Sequence, residues 1–432
     1  MNSMRVGLIT IQRCTACSDV LTELDPRVRC DCGGLLEIRH LSPTLKGKAL
    51  IQQFDARRTS RLDADVSGVW RYRELILPSV GTEVITHPEG NTPLLAREAV
   101  ARWAGIADFR LKHEGHNPTG SFKDRGMTVG ITQARRVGAR AVACASTGNT
   151  SAALAAYAAQ AGIPALVFVP AGQVALGKLA QSLAYGARTL LVRGDFDDCL
   201  RLVTEASERL KVYLLNSINP FRVEGQKSIV FEMLDQLGWQ APDWIVLPAG
   251  NLGNTAAFGK ALEEAREAGL IDHLPRIAAV QAAGAAPFAA AFPGGFTSRI
   301  TVKPETIATA IKIGDPASWD RAVKSIRLTN GVVTAVTDEE ILEAKAMVDA
   351  AGVGCEPASA ASVAGARQLV ERGIIEADQR VVAVLTGHLL KDPGILLQYH
   401  RDTEPRPARA NRPIEIDPTL DAVARAVEAF SH

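Results

Sequence analysis

The sequence predicts an α/β fold in which parallel sheets are covered by helices. Short apolar runs alternate with segments of helical period from about residue 109 to residue 385. Polar, glycine-containing turns follow several of these runs, at the strand ends where such sheets place their ligands. At 432 residues, 47% hydrophobic and 22% charged, the chain has the material for two or three ordinary globular units.

Composition excludes several classes of partner. The 48 basic and 47 acidic residues leave a net charge of +1, so no nucleic acid is expected. No run is long enough to span a membrane; the closest, residues 277 to 296, is broken by Gln281, Gly284, Pro287 and Pro293. Arg5 and a short apolar patch at the N-terminus do not make a secretory signal. Seven cysteines, four of them near the N-terminus, suggest a reducing compartment, with the cytoplasm as the default.

Taken in order, residues 1–40 carry Cys14-x-x-Cys17 and Cys30-x-Cys32, the latter followed by Gly33-Gly34. Two cysteine pairs on two knuckles suit a tetrahedral thiolate site, and a glycine lets the backbone turn around the ion. A structural zinc ribbon is expected, with four free thiols or a decayed site as the alternatives. Four sulfur ligands leave no open position for catalysis. The second pair is one residue tighter than the usual spacing. Trp70 to Pro78 reads as a short helix ended by proline, and Gly90-Asn91-Thr92-Pro93 as a turn into a strand or helix.

The run Phe109 to Glu114 reads as a strand leading into Asn117-Pro-Thr-Gly-Ser-Phe-Lys123-Asp-Arg-Gly-Met127. Ser121 followed by Asp124 is a helix-start signature, and Met127, Ile131, Ala134 and Val137 continue at helical spacing. Lys123 then falls in the first turn, where the helix dipole disfavours a cation and a lowered pKa makes the amine nucleophilic. A solvated lysine is the plainer alternative.

Strands are expected at 141–145, 165–169, 189–192, 212–215, 244–247 and 381–385. Helices are expected at 152–161, 175–185, 196–210, 224–236, 254–267, 338–350, 358–371 and 420–430. The turn Gly250-Asn251-Leu252-Gly253-Asn254 lies between a strand and a helix and suits an anion such as a phosphate. Its glycine spacing is not that of a dinucleotide fingerprint, and no lysine-serine pair makes it a nucleotide loop. Ser146-Thr-Gly-Asn149 is a second such turn, and Asn149 offers an amide without titrating. Thr386 ends a buried strand with a hydroxyl. Each could be a capping residue taken singly. Together, a first-turn lysine, a phosphate cradle, an amide and a hydroxyl fit pyridoxal 5'-phosphate, with the lysine as its Schiff-base partner.

The stretch 117–126 resembles the pyridoxal-lysine motif of the threonine synthases, within the tryptophan-synthase-β-like (fold type II) enzymes. The likeness extends through residues 174–187, 216–227, 306–319, 356–363 and 386–392. It implies a two-domain fold type II enzyme: a larger cofactor-binding domain from 41–140 and 225–400, a smaller α/β domain from 141–224, and a tail from 401–432. Lys123 would hold the cofactor and shuttle protons. Gly250, Asn251, Leu252, Gly253 and Asn254 would bind its phosphate, Asn149 its 3′ oxygen and Thr386 its ring nitrogen. Asn216, Ser217 and Arg222 would take the phosphate of O-phospho-L-homoserine, with Arg222 as a bidentate fork; a solvent-facing arginine ahead of a helix is the alternative. The resemblance implies a carbon–oxygen lyase that makes L-threonine and phosphate, and a homodimer. Ala249 and Leu389 depart from the family pattern beside the cofactor. The rival readings are a cysteate synthase, joining phosphoserine to sulfite, and a non-catalytic binding protein on the same scaffold.

Overall fold

The structure is a computed structural model that describes residues 9–146, 148–172 and 176–429. Expectations that fall on Arg5, Thr147, residues 173–175 or Phe430 lie outside the described residues.

Three sheets organise the chain. The first joins β1 (Thr10–Cys14), β2 (Val20–Thr22) and β3 (Leu36–His40) in the order β2-β1-β3, with both pairings antiparallel. The remaining strands are β4 (Leu94–Ala96), β5 (Asp108–His113), β6 (Ala141–Ala145), β7 (Ala165–Pro170), β8 (Arg188–Val192), β9 (Val212–Leu214), β10 (Trp244–Pro248), β11 (Arg276–Ala282), β12 (Val332–Val336) and β13 (Arg380–Leu385). Six of them form a sheet ordered β12-β11-β10-β13-β5-β4, and four form a second ordered β8-β7-β6-β9. Every pair in these two sheets is parallel except β4 with β5. The central strands β10, β11 and β13 are apolar and buried on both faces, as helix-covered parallel strands must be, whereas the edge strand β8 is largely exposed.

The helix Lys123–Arg136 lies between the two bodies of core. Met127, Ile131 and Ala134 pack into the core of the four-stranded sheet, while Val129 joins the core beneath the six-stranded one. Against it runs the helix Pro220–Gln236, capped by Asn219, whose side chain accepts from the backbone N–H groups of Phe221 and Arg222. The close approach depends on glycine. A Cβ on Gly225 would stand 1.9 Å from the carbonyl oxygen of Arg125. This helix starts earlier than expected because Asn219-Pro220 is a cap followed by a proline at the first helical position. Arg222 is therefore a buried first-turn residue, which removes the alternative of a solvent-facing arginine ahead of the helix.

A second correction concerns the start of the Lys123 helix. Ser121 and Asp124 do not form a capping box, and the N-cap is Phe122 with no side-chain cap. Asp124 instead turns back to accept from the Thr119 backbone N–H at 2.7 Å and from the Thr119 hydroxyl at 2.5 Å. Burial pushes its carboxyl up to about 7, against those two hydrogen bonds. The loop before the helix is held to the end of β13. Phe122 N donates to Thr386 O at 3.0 Å and His388 N to Gly120 O at 2.9 Å.

Candidate active site

The turns singled out in the sequence leave the carboxyl ends of strands in both large sheets. The Lys123 loop follows β5, the Asn149 turn β6, Asn216 and Ser217 β9, the Gly250 turn β10 and Thr386 β13. Several of them are linked by hydrogen bonds. Asn216 Oδ1 accepts from Ala145 N at 3.0 Å, tying the ends of β9 and β6. Asn251 Nδ2 donates to Ser217 Oγ at 2.8 Å, joining the turns of the two sheets. Asn149 Nδ2 donates to Glu356 Oε2 at 3.0 Å, and Thr386 Oγ1 stands 3.3 Å from Glu356 Oε1.

Lys123 occupies the first position of its helix, partly buried, with Nζ 4.1 Å from the centroid of the Phe122 ring. Burial, and next the guanidinium of Arg222, lower its pKa to about 7, while Glu356 pulls weakly the other way. A substantial share of the amine is therefore neutral near pH 7 and can act as a nucleophile or a base. Beneath it, Arg125 is fully buried and paired with Glu114 at 2.6 Å and Glu232 at 2.8 Å, and Lys112 joins Glu232 at 2.6 Å. These buried charges compensate one another and pin the first turn to β5 and to the Arg222 helix.

The Gly250 turn is built to receive an anion. Leu252 adopts a left-handed backbone (φ 62°) as the N-cap of the 15-residue helix Gly253–Glu267, and no side chain caps that N-terminus. A Cβ on Gly250 would stand 2.9 Å from Ile311 Cα, so a larger residue would push the turn out of place. Around it, Gln226 Oε1, Asn254 Oδ1, Thr255 Oγ1 and Ser318 Oγ are buried without a hydrogen-bond partner. Buried polar atoms of this kind are costly unless something satisfies them. An uncapped helix end with orphaned polar atoms clustered beside it fits a bound phosphate.

Arg222 has the same signature. It is 1% exposed, Nη1 donates to Leu215 O at 2.9 Å, and Nε and Nη2 have no partner. Burial lowers its pKa to about 10, so it stays charged at neutral pH. Glu356, Ser359, Gln226, Thr255 and Ser318 were not among the expected site residues. Glu356 and Ser359 lie in the 356–363 stretch, but nothing in the local pattern marks a buried carboxyl that faces another lobe.

At the N-terminal sheet, the sulfur atoms of Cys14, Cys17, Cys30 and Cys32 lie within 4.8 Å of one another. Cys14 and Cys32 are 3.5 Å apart and Cys17 and Cys30 are 3.6 Å apart, with no disulfide among them. Tetrahedral zinc at roughly 2.3 Å from each sulfur places neighbouring sulfurs about 3.8 Å apart, close to this arrangement. The backbone N–H of Cys17 points at Cys14 Sγ and, with that of Ala16, brings the thiol down to about 6 despite burial.

Comparison with known proteins agrees with this geometry. The family described as "Pyridoxal-phosphate dependent enzyme" matches residues 85–387. The threonine synthase of Methanocaldococcus jannaschii is 44% identical over 97% of this chain and 99% of its own length. This chain belongs to the threonine synthase family of pyridoxal-phosphate-dependent enzymes. The threonine synthase of Methanosarcina acetivorans is 47% identical over 92% of this chain and 93% of its own. Among solved structures, that of Escherichia coli threonine synthase aligns over 97% of this chain and 100% of its own, with a TM-score of 0.69. At 18% identity that likeness speaks for the fold alone, which is the one expected. No described helix is long and apolar enough to cross a membrane.

Proposed function

We propose that this protein converts O-phospho-L-homoserine and water into L-threonine and phosphate, with pyridoxal phosphate held between the two large sheets. The observation that carries this is the convergence, at one mouth, of a lysine tuned to about 7 with two separate anion seats, the Gly250 turn and Arg222.

Pyridoxal phosphate supplies an aldehyde for a lysine amine and a ring that accepts an electron pair. Lys123 would hold it. The N–H groups at the uncapped end of the Gly253 helix, with Thr255 and Ser318, would bind its phosphate, and Gly250, Asn251 and Leu252 shape that turn. Asn149 and Thr386 are set to contact the ring. Asn216, Ser217 and Arg222 would take the phosphate of the substrate. Asn216 has its carboxamide oxygen committed to Ala145, so its Nδ2 is the group left to donate. In the overall reaction Cβ exchanges a hydrogen for the hydroxyl of water, and Cγ exchanges phosphate for a hydrogen. Protons must therefore be taken from and returned to neighbouring carbons, and the near-neutral, partly buried amine of Lys123 suits that work.

The Cys14, Cys17, Cys30 and Cys32 cluster is proposed to bind one structural zinc ion. Its four thiolates leave no open coordination position, so it serves the fold and not the reaction.

Incubation with O-phospho-L-homoserine, following phosphate and threonine together, tests the assignment. Equal yields of both, lost in Lys123→Ala, are expected; phosphate release without threonine, or no turnover at all, would overturn it.

A further inference from the structure

Glu356 is a buried carboxyl for which the reaction as derived has no use. It is 4% exposed and forms the N-cap of the helix Pro357–Glu371 without its side chain capping that helix. Its two oxygens point the other way, one to Asn149 Nδ2 and the other to Thr386 Oγ1. The fit is tight, since a Cβ on Gly387 would lie 2.5 Å from the carboxyl carbon. The charged groups that face Glu356 are Lys123, from the Lys123 helix, and Lys391, from the segment after β13. Lys391 is hydrogen-bonded to Gln181 Oε1, while the hydrogen bonds of Glu356 go to Asn149 and Thr386.

The hydroxyls around it have a readable order. Ser359 Oγ accepts from Gly387 N at 2.9 Å, and its own hydrogen has two acceptors in reach, Gly387 O at 3.5 Å and the nearer Thr386 Oγ1 at 3.0 Å, so Thr386 is the closer partner. Thr386 then has one hydrogen to give. An ionised Glu356 would draw that hydrogen inward. A protonated Glu356 can donate to Thr386 Oγ1 and release the threonine hydrogen outward. The Asn149 amide has two hydrogens, and with one fixed on Glu356 Oε2 the other is presented to the site in a set direction.

We propose that Glu356 is a positioning residue that, as the neutral acid, aims the Asn149 amide and the Thr386 hydroxyl at the pyridoxal ring. A hydroxyl that donates to the ring nitrogen keeps that nitrogen unprotonated and limits how strongly the ring withdraws electrons. The inference rests on the proposed ring contacts of Asn149 and Thr386. Burial, which raises the carboxyl's pKa and outweighs its hydrogen bonds and the two lysines, agrees with the neutral form.

Holoenzymes of the wild type, Glu356→Gln, Glu356→Ala and Thr386→Val test it by cofactor dissociation constant and by visible absorption across pH. Glutamine has the donor and acceptor of the neutral acid, so Glu356→Gln should bind cofactor within about threefold of the wild type, whereas losing both bonds in Glu356→Ala should weaken it about tenfold or more. The wild-type band should change as pH rises and Glu356 ionises, and that change should vanish in Glu356→Gln. The inference is overturned if Glu356→Gln binds as weakly as Glu356→Ala while its apo-protein melts like the wild type, or if that change persists in it. Should Glu356→Ala fail to fold, the pH-dependent change in Glu356→Gln decides alone. Failure of the underlying reading is distinct: Thr386→Val would then leave both spectrum and affinity untouched.

Discussion

At Lys123 the fold works against a charge. The folded-state pKa of about 7 lies below the ordinary lysine value of 10.5, so the unfolded chain binds the proton more tightly. The resulting penalty is full below about pH 7, fades as pH rises toward 10.5, and is absent above that. Lys123→Met should therefore melt a few degrees above the wild-type apo-protein at about pH 6, and this gain should shrink by about pH 9; differential scanning calorimetry of apo-proteins reads it. The same amine should react with trinitrobenzenesulfonate in the apo-protein well before the surface lysines, at a rate that rises through about pH 7. At the phosphate turn, Gly250→Ala places a methyl group 2.9 Å from Ile311 Cα. Cofactor affinity should fall at least tenfold with little change in apo stability, as equilibrium dialysis would show; unaltered affinity would remove that turn from the site.

Elements are coupled here through buried charge. Glu224, on the Arg222 helix, receives Lys227 at 2.5 Å, Lys260, and His40 of β3 at 3.0 Å. Burial opposes its ionisation, but Lys227 and Lys260 outweigh burial and hold the carboxyl well below the usual range. Lys260 also donates to Ile38 O at 2.6 Å and Arg321 to Leu36 O, so the cysteine sheet is fastened to the back of the helix that carries Arg222. From the same sheet region, Glu23 O accepts from Gln133 of the Lys123 helix at 2.7 Å. Glu224→Gln would leave two buried ammonium groups short of a counter-charge, at a cost of about 3–5 kcal/mol, which urea unfolding should detect. Zinc, if it closes the cysteine site, should be found at about one equivalent per chain, and Cys17→Ser should lower both zinc content and Tm. Full zinc retention in that variant would count against the site.

For the molecule as a whole, the candidate site exists only where the carboxyl ends of two sheets meet. Its orphaned atoms, Gln226 Oε1, Thr255 Oγ1, Ser318 Oγ and the Nε and Nη2 of Arg222, come from two helices and the cap of a third, and have no partner among the described residues. Cofactor should therefore stabilise the native state by mass action, by about 2.7 kcal/mol at a free concentration 100 times its Kd. The Tm should climb with the logarithm of added pyridoxal phosphate, and an unmoved Tm would mean that these atoms do not receive it.

Much of this could be read before any coordinates. The βα rhythm, the first-turn lysine, the glycine turn and the paired cysteines are local patterns, and local patterns follow from backbone sterics and period alone. What was read less well depended on distant partners. Asp124 looked like half of a capping box until Thr119 claimed it, and Arg222 stood open between a phosphate ligand and a solvent-facing residue until its helix proved to start at Pro220, four residues before Glu224, and to bury it. Glu356 carried no local signal, because its meaning lies in Asn149, 207 residues away, and in Thr386. Sequence by itself determined which groups could do chemistry and on which kind of element each would stand. Only the tertiary structure decided which of them are buried together, because burial, orphaned hydrogen bonds and shifted protonation arise from neighbours that the chain brings together across hundreds of residues.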